Sequence, residues 1–386
     1  MNSASRAALP APPPIKALDR ISPTIYEAAI RCTSRAAWIA GGDRKLLPQH
    51  PRSLLGIGVH TVLERARQGR IIGETEDERR AAAEHTFDQK LRDLFAGAHP
   101  LIHVKFEAPD RLPFYNLYRA RAAEMAVDMF IKIVPRAMNA GPARTGSIVE
   151  ASLLSKDGRV TGRADVLDPA KETVIEYKTG LPSDSSPISE TEVRQLRLYA
   201  FLASENGMTI RRGVIERANR VRVEIDISAA QAAEEGRKAL AVLDQYNTHV
   251  GGSFEDAASP SQEACRFCPC IPFCNAFWNN AAIEWLDQCG AHAEGVVESV
   301  EGTELVSINL MVTRGSVPRG SSVVTRLSRE WLTFAGSNVP RAQEIIRVTG
   351  TAYVAGSTAP AILRADRAMT AVWTIPADAT ESGNAS

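Results

Sequence analysis

The sequence lacks an excess of charge of either sign. Its 45 Lys and Arg residues balance its 45 Asp and Glu residues, so the formal net charge is zero. Overall charge therefore cannot attract the molecule to nucleic acid or to an anionic surface, and any such contact must come from a local basic groove. Neutrality neither supports nor excludes a nucleic-acid partner.

Long apolar runs are also missing. No stretch approaches the length needed to span a bilayer, and residues 1–10 lack the apolar core of a secretion signal. With 386 residues, 44% hydrophobic and 23% charged, the composition is that of a globular protein with enough material for two domains. We therefore expect a cytoplasmic protein with no membrane partner.

Cysteine is scarce, but it is not evenly spread. Four of the six cysteines fall within ten residues, at Cys265, Cys268, Cys270 and Cys274. In a reducing compartment such a cluster predicts metal ligation rather than a disulfide framework. Tetrahedral Zn²⁺ and an iron-sulfur cluster both take four thiolates, so the spacing leaves two kinds of site open.

Residues 160–180 predict a hairpin. The β-branched runs Val160 to Leu167 and Thr173 to Thr179 are typical of strands, and residues 168–171 between them have turn chemistry. Side chains alternate faces along a strand, so Glu176 and Lys178 share one face. Pairing across the turn would bring Asp165 beside Glu176.

Two converging carboxylates repel each other unless a cation lies between them. Oxygen ligands favour Mg²⁺ or Mn²⁺, and a lysine beside the pair can stabilise an oxyanion and contact an attacking water. By itself the pattern remains weak, because an acidic residue two positions before a lysine is equally typical of a solvated hairpin.

Three further elements carry candidate residues. Leu54 to Gln68 has helical periodicity with His60 beside its apolar face, although a lone histidine on a helix is more often packed than a ligand. Residues 148–154 predict a strand that contains Glu150. Residues 191–203 predict a helix on which Gln195 and Tyr199, four residues apart, lie on one face.

Together these residues resemble the PD-(D/E)XK nuclease superfamily, whose signature is an Asp followed by a Glu-x-Lys strand. Asp165, Glu176 and Lys178 occupy the three matching positions. Gln195 and Tyr199 match the Gln-x-x-x-Tyr element of RecB-like members. The resemblance implies an α/β fold with a restriction-endonuclease-like mixed sheet flanked by helices, over residues 21–290, with a helical insertion at about 76–140.

The resemblance also implies roles. One or two Mg²⁺ or Mn²⁺ ions would be held by His60, Asp165, Glu176 and the backbone carbonyl of Tyr177. Lys178 would position the attacking water, while Gln195 would support the site and Tyr199 would touch the DNA backbone. Glu150 is a further candidate for the acidic cluster, ranked below Asp165 and Glu176.

The cysteine spacing is similar to the iron-sulfur branch of that superfamily, which includes CRISPR-associated adaptation nucleases and helicase-nuclease complexes. In this branch one N-terminal and three C-terminal cysteines hold a [4Fe-4S] cluster, which implies Cys32, Cys265, Cys268 and Cys274 here. Cys270 departs from the pattern and is either a spare thiol or a replacement for Cys32. We favour Cys32, because a purely local set would need a tight loop carrying two prolines.

The ends of the chain differ from its centre. Residues 1–20 are Pro-rich and predict a flexible lead-in. Residues 291–376 contain regularly spaced β-like runs, which predict a small all-β, OB-like barrel that holds single strands or docks a protein. Among these runs, residues 331–334 and 361–373 are predicted strands and residues 340–344 a short helix. Residues 377–386 predict a disordered tail.

The expected function is that of a metal-dependent DNA nuclease acting on single-stranded, end or flap DNA, in repair, CRISPR adaptation or anti-phage defence. Helicase or other protein subunits are candidate partners. Two alternatives remain: a DNA-binding scaffold subunit with a dormant nuclease site, and an interaction protein stabilised by zinc.

Overall fold

The computed structural model describes residues 9–139, 146–179, 188–217, 221–334, 338–355 and 360–375. The predicted tail at 377–386 and the first eight residues of the predicted lead-in lie outside this part of the chain. Residues 9–20 form neither helix nor strand, but the Ile15 side chain is buried and Leu18 exchanges two hydrogen bonds with the Asn247 side chain.

The described helices are α1 (Pro23–Arg31), α2 (Thr33–Gly41), α3 (Pro51–Arg67), α4 (Glu76–Ala96), α5 (Pro100–Phe106), α6 (Tyr115–Asn139), α7 (Glu190–Glu205), α8 (Ala229–Asn247), α9 (Gln262–Cys265), α10 (Asn275–Asn280), α11 (Leu286–Cys289) and α12 (Arg329–Leu332). The described strands are β1 (Ile148–Leu154), β2 (Thr161–Asp168), β3 (Thr173–Lys178), β4 (Arg212–Arg217), β5 (Arg222–Asp226), β6 (Ala291–Glu301), β7 (Leu305–Gly315), β8 (Ser322–Ser328), β9 (Ile345–Val354), β10 (Ala361–Ala365) and β11 (Ala371–Thr374).

The first sheet has the order β1-β2-β3-β4-β5, in which only the β3–β4 pair is parallel. The predicted mixed α/β arrangement is therefore confirmed. The central hairpin is also present, with Val166 opposite Ile175 and Asp168 opposite Thr173. Its turn is held by the Asp168 carboxylate, which accepts the Lys171 backbone N–H at 3.1 Å.

Helices cover both faces of this sheet. Val166 and Tyr177 pack into a core formed with α3, α4 and α6, whereas Leu167 and Val174 pack into a second core formed with α7 and α8. This division follows the alternation of side chains along β2 and β3. The helical insertion predicted at 76–140 corresponds to α4, α5 and α6, which supply most of the first core.

Gly58 allows α3 to lie close against α4. A Cβ at this position would stand 2.2 Å from Leu91 Cδ2 and 2.8 Å from Phe87 Cε2. We expect Gly58→Ala to lower the free energy of unfolding by about 1–3 kcal/mol, because two buried side chains must move to admit the methyl group. Chemical denaturation measures this loss.

Gly41 provides the matched control for that substitution. It ends α2, and apart from its two chain neighbours and the adjacent helix backbone, no described atom lies within 4 Å of the place that a Cβ would take there. Gly41→Ala is expected to leave stability unchanged or raise it by up to about 1 kcal/mol. Equal losses at both positions would contradict the close approach of α3 and α4 as the cause.

The second sheet closes into a five-stranded barrel. β9 pairs with both β6 and β10, β8 and β10 are parallel, and β11 extends the sheet beside β9. Neighbouring strands run in the order β6-β7-β8-β10-β9 and then return to β6.

Three predictions within the barrel were wrong. Residues 331–334 were expected to form a strand, but α12 occupies Arg329–Leu332, and its Trp331 and Leu332 pack against the barrel core. Residues 340–344 contain no helix. The single strand predicted at 361–373 is two strands, because the Asp366 carboxylate accepts the N–H groups of Ala368 and Met369 and holds a turn there.

A buried ion pair connects the barrel to the cysteine-containing segment. Glu294 of β6 accepts hydrogen bonds from Arg314 and Arg347. Arg347 also donates to the Pro272 carbonyl and to Asn275 Oδ1, each at 2.7 Å. The barrel is thus hydrogen-bonded directly to the loop that carries the clustered cysteines.

Candidate active site and cysteine cavity

Asp165 lies where β2 and β3 separate. The ladder between these strands ends at the pair Val166 and Ile175. One residue beyond that pair, Asp165 Oδ2 accepts the Tyr177 backbone N–H at 2.7 Å. The carboxylate is therefore fixed by the backbone of β3, and the divergence of the strands leaves space beside it.

Glu176 and Lys178 lie on one face of β3, as predicted. The Glu176 side chain is buried, and its Oε1 accepts hydrogen bonds from Lys178 Nζ at 3.0 Å and from Gln195 Nε2 at 2.8 Å. Lys178 Nζ also donates to Gln195 Oε1 at 2.7 Å. Three side chains from β3 and α7 therefore form one hydrogen-bonded triangle.

Tyr199 lies one helical turn beyond Gln195 on α7. Gln195 Nε2 approaches Tyr199 Oη at 3.1 Å, and the Tyr199 hydroxyl donates to the Arg163 carbonyl at 2.8 Å. Tyr199 is buried. In this arrangement its hydroxyl ties α7 to β2, which holds Gln195 in place beside Glu176.

The pKa values of Asp165 and Glu176 are both raised. Burial raises the pKa of Asp165 to about 6 and that of Glu176 to about 7. The negative charge of Glu150 raises the pKa of Asp165 further, and that of Asp165 raises the pKa of Glu176 further. Glu176 Oε2 is buried and has no hydrogen-bond partner among the described residues. An unpaired carboxylate oxygen next to a second carboxylate fits a divalent cation, which would favour ionisation of both.

His60 and Glu150 approach Asp165 from α3 and β1. His60 Nδ1 lies 3.9 Å from Asp165 Oδ1, and burial lowers the pKa of His60, so its ring is neutral at pH 7, the form that binds metals. Glu150 interrupts the β1–β2 pairing and has a left-handed backbone with φ of 52°. Its carboxylate pairs with Arg163 at 2.5 Å, and burial raises its pKa.

A small cavity joins these groups. It is lined by His60, Leu63, Glu64, Arg67, Val149, Glu150, Asp165 and Tyr177. Across the described ranges of the chain, however, no three His, Cys, Asp or Glu side chains stand close enough to hold one ion in their present positions. Glu176 is bonded to Lys178 and Gln195 instead, so ligation requires these side chains to adjust.

A wider groove opens on the other side of Glu176 and Lys178. Helices α1 and α2 form its opposite wall, and its volume is about 430 Å³. Its lining from those helices includes Thr24, Arg31 and Arg35. The sequence analysis did not predict that these residues line the groove. The signal in the sequence was the pair of arginines, Arg31 and Arg35, four positions apart beside Cys32.

Five cysteines converge on a single cavity. Cys32, which lies at the junction of α1 and α2, meets four thiols from more than two hundred residues later in the chain. These are Cys265, Cys268, Cys270 and Cys274. Cys289 does not line the cavity, and its thiol donates to the Gln262 carbonyl at 3.2 Å.

Backbone N–H groups are directed at several of these sulfur atoms. Ser259 donates to Cys32 Sγ at 3.5 Å, and Phe277 donates to Cys274. Cys268 accepts hydrogen bonds from the Cys270 thiol and backbone, which lower the pKa of Cys268. Burial raises the pKa of Cys265 to about 12. Thiols that share one cavity ionise together only beside a cation, so the chemistry of these donors suits a thiolate-bound metal group. Among the described residues, however, no three of them are close enough to hold one ion in their present positions.

The carboxylate pair predicts how metal binding depends on pH. A carboxyl whose folded pKa is raised contributes stability at low pH that is lost as pH rises through the folded value. The metal-free protein should therefore lose stability between about pH 4 and pH 7, and added Mg²⁺ should stabilise it progressively more over that range. Thermal unfolding with and without Mg²⁺ measures both trends.

The variant Asp165→Asn/Glu176→Gln is the control for this pH dependence, because it removes both titrating groups with little change of shape. Its unfolding temperature should respond to Mg²⁺ equally weakly at both ends of the pH range. A Mg²⁺ effect that is as large in this variant as in the parent protein would contradict the assignment of the two carboxylates.

The fold and the side-chain geometry define an α/β protein with a carboxylate and lysine site on its central hairpin. The family model described as PD-(D/E)XK nuclease superfamily matches residues 20–275, about two thirds of the chain. The chain therefore belongs to the PD-(D/E)XK nuclease superfamily. Membership indicates a nuclease, and nucleases of this superfamily usually use divalent metals such as Mg²⁺.

No curated protein matches the chain. Among solved structures, the crystal structure of SSO0001 is 17% identical, with coverage of 44% of this chain and 81% of that chain. Its TM-score is 0.23. None of the described helices combines the length and apolar composition that crossing a membrane would require.

Proposed function

We propose that this protein is a metal-dependent DNA nuclease of the RecB-like branch, carrying an iron-sulfur cluster. The observation that carries the proposal is the meeting of Asp165, Glu176, Lys178 and Gln195 at one point beside an open groove. Glu176 there keeps a buried oxygen without a hydrogen-bond partner in the described structure. Gln195 and Tyr199 on α7 are the support for the RecB-like assignment.

Each side chain has a defined task in phosphodiester hydrolysis. A divalent cation, when bound, supplies Lewis acidity at the scissile phosphate. Asp165, Glu176 and His60, with the Tyr177 carbonyl, would hold that cation, and Glu150 is a further candidate ligand. Lys178 holds the attacking water and offsets negative charge on the phosphate, while Gln195 orients both Lys178 and Glu176 through its two hydrogen bonds.

The groove suggests the form of the substrate. Arg31 and Arg35 line it together with Lys178, and Glu27 on the same wall is paired with Arg194, so basic groups are available where a phosphate backbone would pass. This local charge meets the requirement that a neutral protein must concentrate its basic residues to bind DNA. We infer that single-stranded DNA, or DNA with free ends or flaps, lies along this groove.

Tyr199 receives a different role from the one implied by the resemblance. Its hydroxyl is buried and bonded to the Arg163 carbonyl, so it positions α7 against β2 rather than touching the DNA backbone. Tyr199→Phe should therefore act through the orientation of Gln195.

Cys32, Cys265, Cys268 and Cys274 are the proposed ligands of a [4Fe-4S] cluster. A single Zn²⁺ needs four sulfurs within about 2.3 Å of one point. The four sulfurs of a cluster bind separate irons and stand farther apart. The support for the cluster is that Cys32, at the junction of α1 and α2, shares one cavity with Cys265, Cys268 and Cys274. Cys270, which donates to Cys268, is the proposed non-ligand.

The barrel is proposed to be OB-like. Its closed strand order, with a parallel β8–β10 pair and a short helix after β8, supports this assignment. Its docking on the cysteine-containing segment would suit a role in holding DNA or a helicase subunit near the nuclease site. Cysteines that bind metal rather than form disulfides are typical of a reducing compartment, which supports a cytoplasmic location. Repair, CRISPR adaptation and anti-phage defence remain the proposed settings.

One experiment tests the core of the proposal. Anaerobically purified protein is incubated with Mg²⁺ or Mn²⁺ and labelled single-stranded, double-stranded and flapped DNA. Metal-dependent cleavage that chelation abolishes is the expected result. Tight DNA binding without cleavage of any substrate would instead indicate a scaffold subunit with a dormant site. A colourless protein loaded with zinc would reject the iron-sulfur cluster.

A further inference from the structure

Phe267 is exposed in a place where folding gains nothing from an aromatic ring. It lies between Cys265 and Cys268, and 75% of its surface is exposed to solvent. Its backbone is left-handed, with φ of 56°. That conformation favours glycine and is an outlier for a bulky residue. Both the exposure and the backbone conformation disfavour phenylalanine for stability, so the ring serves a purpose other than packing.

The neighbouring side chain supplies a positive charge. The Arg266 guanidinium lies 5.0 Å from the centre of the Phe267 ring, and Arg266 is itself exposed. An aromatic ring beside an arginine is the combination by which proteins hold single-stranded nucleic acid, since the ring stacks on a base and the cation meets a phosphate.

Arg35 places this pair next to the candidate active site. Its Nη1 donates to the Ala264 carbonyl at 3.0 Å and to the Arg266 carbonyl at 3.4 Å. Arg35 also lines the groove that contains Glu176 and Lys178. The loop with Arg266 and Phe267 is therefore hydrogen-bonded to the same arginine that lines the groove.

We propose that Phe267 stacks on one nucleobase of a single DNA strand in the groove while Arg266 binds a neighbouring phosphate. This inference rests on the proposed nuclease function and adds a contact that selects unpaired DNA. Stacking requires an unpaired base, so duplex DNA gains nothing from Phe267. The held base also sets the distance along the strand to Lys178, which makes Phe267 a positioning residue.

Phe267→Gly is the sharpest test, because glycine suits the left-handed backbone and removes only the ring. In the full-length protein with its cluster intact and no added Mg²⁺ or Mn²⁺, affinity for single-stranded DNA should fall about 5- to 100-fold, the range typical of one lost stacked base. Affinity for blunt duplex DNA should not change. Phe267→Trp should retain the parent affinity, since indole stacks at least as well.

A fluorescent base analogue distinguishes stacking from a general loss of binding. 2-Aminopurine is placed at successive positions of the strand, and its fluorescence is compared with that of the strand alone. The parent protein should quench the fluorescence at one position, whereas Phe267→Gly should quench it at none. Visible absorbance of each variant verifies that the flanking cysteines still hold the cluster. Leu305→Gly, which removes a side chain 59% exposed on β7, is the control and should behave like the parent protein.

The outcomes separate this inference from the function beneath it. Unchanged single-strand affinity and cleavage in Phe267→Gly would overturn the stacking role while leaving the nuclease assignment intact, and would point to a protein partner for the exposed ring. Equal weakening of single-stranded and duplex DNA would also overturn it. Failure of the parent protein to bind or cut any DNA would reject the proposed function together with this inference.

Discussion

Lys178→Ala is expected to lower the rate of DNA cleavage by roughly 100- to 1000-fold or more, with little change in unfolding temperature. Lys178 is the cation that contacts both Glu176 and Gln195, so its removal takes away the group that orients water and offsets phosphate charge. The fold should tolerate the loss, because Glu176 keeps its hydrogen bond from Gln195 and can remain protonated. Single-turnover cleavage at saturating Mg²⁺ measures the effect.

Lys171→Ala is the matched control for this substitution. Lys171 belongs to the same hairpin and pairs with a carboxylate, Asp168, but it lies at the turn, away from the groove. Cleavage by this variant should equal that of the parent protein. In the same way Asp165→Ala should abolish cleavage, whereas Asp168→Ala should affect only the turn. Mg²⁺-dependent activity retained in both Lys178→Ala and Asp165→Ala would overturn the catalytic assignment.

Cys32→Ser should lose the visible absorbance of the cluster and lower the unfolding temperature by about 10 to 20 °C. Cys32 is the one proposed ligand far from the others in sequence, so its bond to the cluster closes a loop of more than two hundred residues. In the chain-entropy model, such a crosslink contributes about 5 kcal/mol. For a domain of this size each kcal/mol corresponds to about 2–4 °C.

Two further cysteine variants serve as controls. Cys289→Ser leaves the cavity lining untouched and should retain both absorbance and stability. Cys270→Ala should also retain the cluster if Cys32 is the fourth ligand. Loss of absorbance in Cys270→Ala together with its retention in Cys32→Ser would reverse the ligand assignment and make the site entirely local.

Local patterns in the sequence predicted much of the candidate site. The hairpin between residues 160 and 180 could be predicted because β-branched runs flank strong turn residues. The shared face of Glu176 and Lys178 follows from strand periodicity. Ser22 and Pro23 likewise predict the start of α1, where the Ser22 hydroxyl accepts the Ile25 N–H. Each of these features depends on residues that are close together in the chain.

Other features could not be predicted, since they depend on contacts between distant residues. Arg31 and Arg35 line one groove with Lys178 only because α1 packs beside α7 and α2 packs against α1. The Tyr199 hydroxyl is directed to the Arg163 carbonyl by the packing of α7 on the sheet. In the barrel, the apolar residues near Trp331 predict a strand by local pattern, but they form a short helix that packs against the barrel core.

The sequence by itself determined the family, the order of the chemical groups and the secondary structure that presents them, since periodicity and turn chemistry act over a few residues. Only the tertiary structure decided which groups meet. One oxygen of Glu176 is buried without a described hydrogen-bond partner, and the loop with Arg266 and Phe267 is bonded to Arg35 of the groove. Cys32 shares a cavity with four thiols from more than two hundred residues later in the chain. Burial determines the pKa values, and contacts between distant residues determine which side chains line the groove and the cysteine cavity. Neither can be read from the spacing of residues that are close together in the chain.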